Sequence, residues 1–265
     1  MIEQGFLIEW SKVVPWQNPV QVEQDLVLSR SLVELFRQET IADQCTLRGG
    51  TALNKLVFNP AARYSEDIDL VQEVPGPIGP LLDAIRDAIS PWLGRPKVER
   101  LTRGTTLIWR FETTTMPVQA SRLKLEINTR EHGWVGRPIR MPFRMVCGWF
   151  TGETEIASLQ LEDLLATKMR ALYQRRKGRD LFDLLAAARG FLNLDFFRIV
   201  SGFRSVMVRE GHPISWRQFE LNLIEKITRP EFSSDIQALL AQGGFDPEEA
   251  WSELAPRLAA AWEEQ

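Results

Sequence analysis

Leu47-Arg-Gly-Gly-Thr-Ala-Leu-Asn-Lys-Leu-Val-Phe-Asn-Pro-Ala-Ala-Arg-Tyr-Ser-Glu-Asp-Ile-Asp-Leu70 is the stretch whose reading decides the fold. It opens on Gly49 and Gly50, a turn that a Cβ-bearing residue would obstruct. Ala52, Leu53 and Leu56 then recur at helical spacing. It closes on Asp67-Ile68-Asp69-Leu70, a short strand pattern. Successive side chains on a strand point to opposite faces, so Asp67 and Asp69 share one face while Ile68 and Leu70 enter a core. Two carboxylates side by side repel each other, and folding gains nothing from that. A hard divalent cation bound through oxygen reverses the balance, as Mg2+ does in sites that also hold substrate phosphates. The Gly-Gly-Thr turn offers the complementary part. Its backbone N–H groups and the start of the next helix suit phosphate oxygens, with the Thr51 hydroxyl and Lys55 nearby. Together these features read as a metal–nucleotide site.

Outward from that stretch, the bulk properties narrow the class. The 265 residues suffice for one large or two small domains. The chain is 44% apolar and 25% charged, as soluble globular proteins are, and a net charge of −3 excludes a globally basic nucleic-acid binder. Cys45 and Cys147 are too few and too distant for a disulfide framework or a cysteine metal site. The opening Met-Ile-Glu-Gln-Gly lacks the pattern of a signal peptide, and no apolar run is long enough to span a bilayer. The expectation is a cytoplasmic protein. Nine Trp residues are scattered along the chain, which suggests packing.

Residues 20–38 have helical spacing, with Val22, Leu26, Val33 and Phe36 on one face and Glu23, Gln24 and Arg30 elsewhere. The central unit is expected as strand 44–48, helix 51–58 and strand 67–72. Pro75 to Pro80 is a loop, and a helix from Leu81 ends near Pro91. Strands follow at 98–102, 105–112 and 121–129. In the last, Leu123, Leu125 and Ile127 face one way and Lys124, Glu126 and Asn128 the other. Glu126 becomes a third carboxylate if this strand lies beside Asp67 and Asp69; an ordinary half-exposed strand would alternate in the same way. Residues 133–157, rich in Gly and Pro, read as a connecting region with short strands. Helices are expected at 158–176, 180–189, 193–209, 216–227, 232–242 and 246–264, with a domain boundary near 155. The fold class is α+β: a core domain over 1–155 and a helical domain over 156–265.

A second constellation lies in that helical part. Lys168 falls within the apolar stripe of Leu161, Leu164, Leu165 and Leu172. A buried ammonium is costly unless paired, so a partner is expected. Asp180 and Asp183, three apart at the start of the next helix, share a face. One of them, Asp180 in the plain reading, caps the helix; the other meets Lys168 or the metal site. Arg170, Arg175, Arg176, Lys177 and Arg179 form the densest basic cluster, suited to a triphosphate or an RNA backbone, or simply a solvated face.

Four blocks carry a resemblance: Gly49-Gly50-Thr51-Ala52-Leu53 with Lys55; Arg63-Tyr64-Ser65-Glu66-Asp67-Ile68-Asp69-Leu70; Lys124-Leu-Glu126-Ile-Asn128-Thr-Arg130-Glu131; and Ala166-Thr-Lys168 through Gly178-Arg179-Asp180-Leu-Phe-Asp183. In this order they resemble the AbiEii/AbiGii-type nucleotidyltransferases, the toxin half of the AbiE and MenAT toxin–antitoxin systems, within the DNA polymerase β-like superfamily. The resemblance covers roughly residues 47–185. It implies a mixed-sheet nucleotidyltransferase core followed by a helical domain, with the active site in the cleft between them. It implies that Asp67 and Asp69 hold Mg2+ (or Mn2+), and that Gly49, Gly50 and Thr51 bind NTP phosphates with Lys55 and Arg179 contributing. Lys168 would contact the triphosphate, and Asp183, with Asp180 as competitor, would be the downstream carboxylate. Glu126 would complete the set as metal ligand or as base, although the superfamily more often has Asp there. The implied reaction moves a nucleotide from an NTP to an acceptor hydroxyl. RNA, above all the 3′ end of tRNA, is the leading acceptor, and a cognate antitoxin is the implied partner. Small-molecule or protein hydroxyls, and a non-catalytic interaction role, stay as alternatives. His132 and His212 have no nucleophile context that would suit acyl transfer.

Overall fold

A computed structural model describes residues 2–102, 104–133, 136–241 and 243–263. It divides into two compact units, Met1–Gly133 with Pro138–Leu159, and Trp134–Arg137 with Gln160–Gln265.

The first unit begins with helices α1 (Gln4–Trp10), α2 (Pro19–Phe36) and α3 (Glu39–Gln44), then strand β1 (Cys45–Arg48). A single helical turn, α4 (Gly49–Ala52), widens at Leu53–Val57 so that the Phe58 N–H donates five residues back to Leu53. Strand β2 (Asp67–Gln72), helix α5 (Gly79–Leu93) and strands β3 (Lys97–Leu101), β4 (Gly104–Glu112), β5 (Ala120–Asn128), β6 (Ile139–Cys147) and β7 (Phe150–Ser158) complete it. The seven strands form one mixed sheet in the order β3-β4-β5-β2-β1-β7-β6. β2 runs antiparallel to β1 and parallel to β5. The α+β expectation holds.

Alternation sets which face of the sheet is core. Leu123, Leu125 and Ile127 are buried on one side with Ile68, Leu70, Leu47 and Trp109. Helix α2 packs on strands of this sheet, and Leu26, Leu28, Leu32 and Val33 are fully buried. The polar side of α2 is not solvated, because the helix is enclosed nearly all round. Its polar residues serve as struts instead. Glu23 accepts the Thr114 and Thr115 N–H groups, and Gln24 donates to the Arg122 carbonyl. Asp25 accepts Trp10 Nε1, Trp16 Nε1 and Lys55 Nζ.

Helix α5 ends at Leu93, near Pro91 as expected, with the proline inside its last turn. One expectation is corrected here. The connecting region is a long hairpin, with β6 and β7 pairing over nine residues each. Pro142 is compatible with this because β6 is an edge strand, where a missing N–H costs no ladder bond.

The second unit is helical: α6 (Leu161–Gln174), α7 (Gly178–Gly190), α8 (Phe196–Arg209), α9 (Trp216–Ile227), α10 (Pro230–Gln237) and α11 (Pro247–Glu263). The expected helix ends at 242 and 264 lie outside the described residues. Asp195 caps α8, and Ser215 with Gln218 forms a capping box on α9. The core is aromatic. Trp216, Phe219, Trp251, Trp262 and Phe203 meet with ring centroids 5.4–6.4 Å apart, so this Trp cluster is packing. Among the described residues no helix is long and apolar enough to cross a membrane.

Candidate active site

The register of the sheet assembles the first cluster. Asp67 lies opposite Lys124, and Asp69 opposite Glu126. Across β1, Arg48 stands opposite Asp69. On the far side Thr106 pairs with Glu126. Directly paired residues share a face, so Arg48, Asp69, Glu126 and Thr106 form one transverse row, with Asp67 and Lys124 in the next. The condition attached to Glu126, that its strand lie beside β2, is met.

Charge is arranged closely within these rows. Lys124 Nζ pairs with Glu126 Oε1 and lies 3.8 Å from Asp67 Oδ2. Burial works against the Lys124 ammonium, but Glu126, Asp67 and Asp69 outweigh it and hold its pKa above the ordinary value. Burial pushes the Asp67 carboxyl up to about 6; Lys124 opposes this, while Asp69, Glu66 and Glu126 add to it. Asp67 Oδ1 is buried with no hydrogen-bond partner among the described residues. That orphaned oxygen, beside a second carboxylate and with only oxygen donors at hand, fits a hard divalent cation. Among the described residues no three acidic, His or Cys side chains form a ready metal cage, however. Glu126 pairs with Lys124 in this conformation, beside the Asp67 and Asp69 carboxylates.

The glycine turn packs directly on this pair. Gly49 has φ +80°, and a Cβ there would stand 2.2 Å from Asp69 Oδ2. The position needs glycine both for its left-handed backbone and for this approach. A Cβ on Gly50 would meet Arg63 Nη2 at 2.6 Å. We expect Gly49→Ala to displace the Asp69 carboxylate and to cost about 1–3 kcal/mol of stability through the strained φ. Transfer activity is expected to fall further than the melting temperature implies, which parallel assays would read; full activity would sink the idea.

Two nucleotide-site expectations change. The Thr51 hydroxyl is fully buried, donates to the Asp67 carbonyl and bonds Ser65 Oγ. It ties the turn to the start of β2, and its side chain faces away from solvent. Lys55 Nζ sits 2.7 Å from both oxygens of Asp25 and 3.0 Å from Ser29. Its ammonium neutralises a carboxylate on α2 instead of extending the phosphate cradle.

A small cavity of about 130 Å3 adjoins the row, lined by Arg48, Asp69, Thr106, Glu126 and Asn128 among others. Arg48, which sequence reasoning missed, pairs with the buried Glu131 at 2.5 Å. Its signal was present: it immediately precedes the glycines and falls opposite Asp69 once β1 and β2 pair.

The second cluster lies in the helical unit. Lys168, 4% exposed, holds Asp183 Oδ2 at 2.8 Å and Asp180 Oδ1 at 3.3 Å. Arg175 clamps Asp180 with Nε at 2.7 Å and Nη2 at 2.8 Å. Burial alone would raise the Asp180 carboxyl, but Lys168 and Arg175 outweigh it and hold it below the usual range. The partner expected for Lys168 is therefore both aspartates. Asp180 does not cap α7; the N–H of its first residue, Gly178, donates to Asp235 Oδ1 at 2.9 Å instead. The basic cluster is largely compensated. Arg170 pairs with Glu210, Arg176 with Glu225, and Arg179 with Asp235 at 3.8 Å.

Comparisons with known proteins bear on the family and the fold. Residues 30–262 match the family model described as "Nucleotidyl transferase AbiEii toxin, Type IV TA system". No curated protein matches the chain by sequence. Among solved structures, MenT4, a nucleotidyltransferase toxin from Mycobacterium tuberculosis, superposes with a TM-score of 0.67 and 15% identity over 98% of this chain and 90% of its own. At that identity the likeness speaks for the fold. An antigenic nucleotidyltransferase-like protein from Paracoccidioides brasiliensis, also 15% identical over 91% of this chain and 92% of its own, reaches a TM-score of only 0.37 and carries no argument.

Proposed function

We propose, from the premise that the chain belongs to the AbiEii nucleotidyl transferase toxin family of type IV toxin–antitoxin systems, that it transfers a nucleotide from an NTP to an RNA hydroxyl, the 3′ end of tRNA foremost, and releases pyrophosphate. The observation that carries the reading is the Asp67–Asp69 pair on β2, with the Gly49 turn set against Asp69 so tightly that no Cβ fits.

Asp67 and Asp69 would hold a divalent cation, Mg2+ or Mn2+, which when bound supplies Lewis-acid neutralisation of phosphoryl charge. The chain's own residues do the rest. The N–H groups at the start of α4 present phosphate donors beside the carboxylates. Lys124 holds Glu126 in place and keeps like charges on this face tolerable. Glu126 is the carboxylate on hand to take the acceptor hydroxyl's proton. Lys168, Asp183 and Asp180 are read as a second functional cluster and Arg179 as an outer phosphate contact. A cognate antitoxin would restrain the activity.

The test is incorporation of label from each NTP, labelled at its α-phosphorus, into total RNA with Mg2+. Asp69→Asn is expected to reduce incorporation by at least about a hundredfold, the scale on which charge-stabilising groups act. Label that enters RNA equally from the variant would sink the assignment. Label that enters only protein or a small molecule would move the acceptor to that class.

A further inference from the structure

Arg110 and Arg122 stand directly opposite each other on β4 and β5. Both are exposed, and neither is in an ion pair among the described residues. Like charges placed directly opposite across two strands destabilise a sheet. Alternation puts Arg122 on the same face as Lys124 and Glu126, and Arg110 on that of Ile108 and Thr106. The pair therefore lies on the carboxylate face, one row beyond Asp67 and Lys124, a step of about 6.6 Å along the strand. A cavity of about 290 Å3 opens there, lined by both arginines with Gln24, Glu66 and Ser121. Glu66, directly before Asp67, sits at its margin, and Glu112 ends the same face of β4. Gln24 is fixed by its bond to the Arg122 carbonyl, which pins β5 where the guanidinium emerges.

We propose that Arg110 and Arg122 form the anion subsite that seats the phosphodiester backbone of the RNA acceptor, one nucleotide step from the metal-binding pair. Two planar guanidinia at cross-strand spacing match phosphate oxygens, and a bound phosphate converts their repulsion into attraction. Arg170, Arg175, Arg176 and Arg179 of the helical unit are each held by a carboxylate, whereas Arg110 and Arg122 have no ion pair among the described residues, only the longer-range attraction between Arg110 and Glu99. The assignment rests on the RNA reading of the acceptor given above.

The experiment measures binding of a fluorescein-labelled single-stranded RNA oligonucleotide to the full chain across a salt series, without NTP. Three proteins are compared: wild type, the double variant Arg110→Gln/Arg122→Gln, and the charge-keeping Arg110→Lys/Arg122→Lys. For the glutamine pair the structure calls for about tenfold weaker binding at low salt. Its slope of log affinity against log salt should be shallower by about 0.7 for each phosphate that is no longer neutralised. The lysine pair is expected to keep the wild-type slope. Removing the like-charge pair is also expected to raise the melting temperature slightly, and Mg2+–NTP should still stabilise the glutamine variant as it does the wild type. Wild-type affinity and slope in the glutamine variant would overturn the subsite alone. A wild type that binds no RNA, while Mg2+–NTP still raises its melting temperature, would overturn the RNA reading and the subsite with it.

Discussion

Asp67→Asn is expected to make the protein more stable and inactive. The Asp67 carboxyl has its pKa raised from 3.8 to about 6, first through burial and then through Asp69, Glu66 and Glu126, with Lys124 opposing. The sign follows from linkage. The folded chain holds the Asp67 proton up to about pH 6, and the unfolded chain releases it near the ordinary carboxylate value. Stability from this group is therefore greatest at low pH, declines through that window, and is lowest above about pH 6. A shift of that size corresponds to about 2–3 kcal/mol, as an upper bound for a side chain 25% exposed. Asn cannot ionise and removes the cost. Its urea midpoint should exceed the wild type's at about pH 8 and converge with it near pH 4, where both carry a neutral group. Mg2+ should narrow the gap by stabilising only the wild type. A gap that is flat with pH would show that Asp67 is not held under electrostatic strain. Transfer should fall at least as far as in Asp69→Asn, since one of two ligands is gone.

That strain is legible in the sequence alone, because period-two alternation places Asp67 and Asp69 on one face whatever the rest of the chain does. The same alternation in Leu123–Ile127 locates Glu126, and the sheet's register sets it opposite Asp69. What stays hidden depends on partners distant in sequence. Lys55 reads as a phosphate ligand from its place after the glycines, yet Asp25, thirty residues upstream, takes its charge. Thr51 reads the same way and is spent on Ser65 and the Asp67 carbonyl. The β6–β7 hairpin escapes a sequence reading because Pro142 and Gly152 count against a strand unless one knows that β6 is at the edge. Helical spacing in α2 reveals its apolar stripe but not its enclosure, since burial of Glu23 and Asp25 depends on loops and helices that pack over them. Local rules thus find the carboxylates and their strands, and tertiary pairing decides which of their neighbours are available.

Lys168→Met is expected to unfold the helical unit at a much lower temperature, with a cost of about 3–5 kcal/mol, the scale for removing one partner of a buried ion pair. Methionine fills nearly the same volume, so a cavity is not the cause. The loss is the ammonium that Asp180 and Asp183 share, both fully buried. Arg175 remains on Asp180 after the change, while Asp183 loses the ammonium 2.8 Å from its Oδ2. This separates two roles that a simple activity assay confounds. If the variant is inactive only because its helices are loosened, then Lys168→Met/Asp183→Asn, which removes the charge and its counter-charge together, should regain much of the melting temperature and recover transfer with it. If Lys168 also acts in the reaction, the double variant should regain stability and stay inactive. Equal melting temperatures for the single and double variants would show that the two side chains are not coupled, contrary to the 2.8 Å separation of Lys168 Nζ and Asp183 Oδ2. The functional reading of this cluster predicts the second outcome, stability without transfer, because hydrophobic replacement of buried charged groups is often neutral or stabilising, so packing alone does not call for a lysine shared by two aspartates.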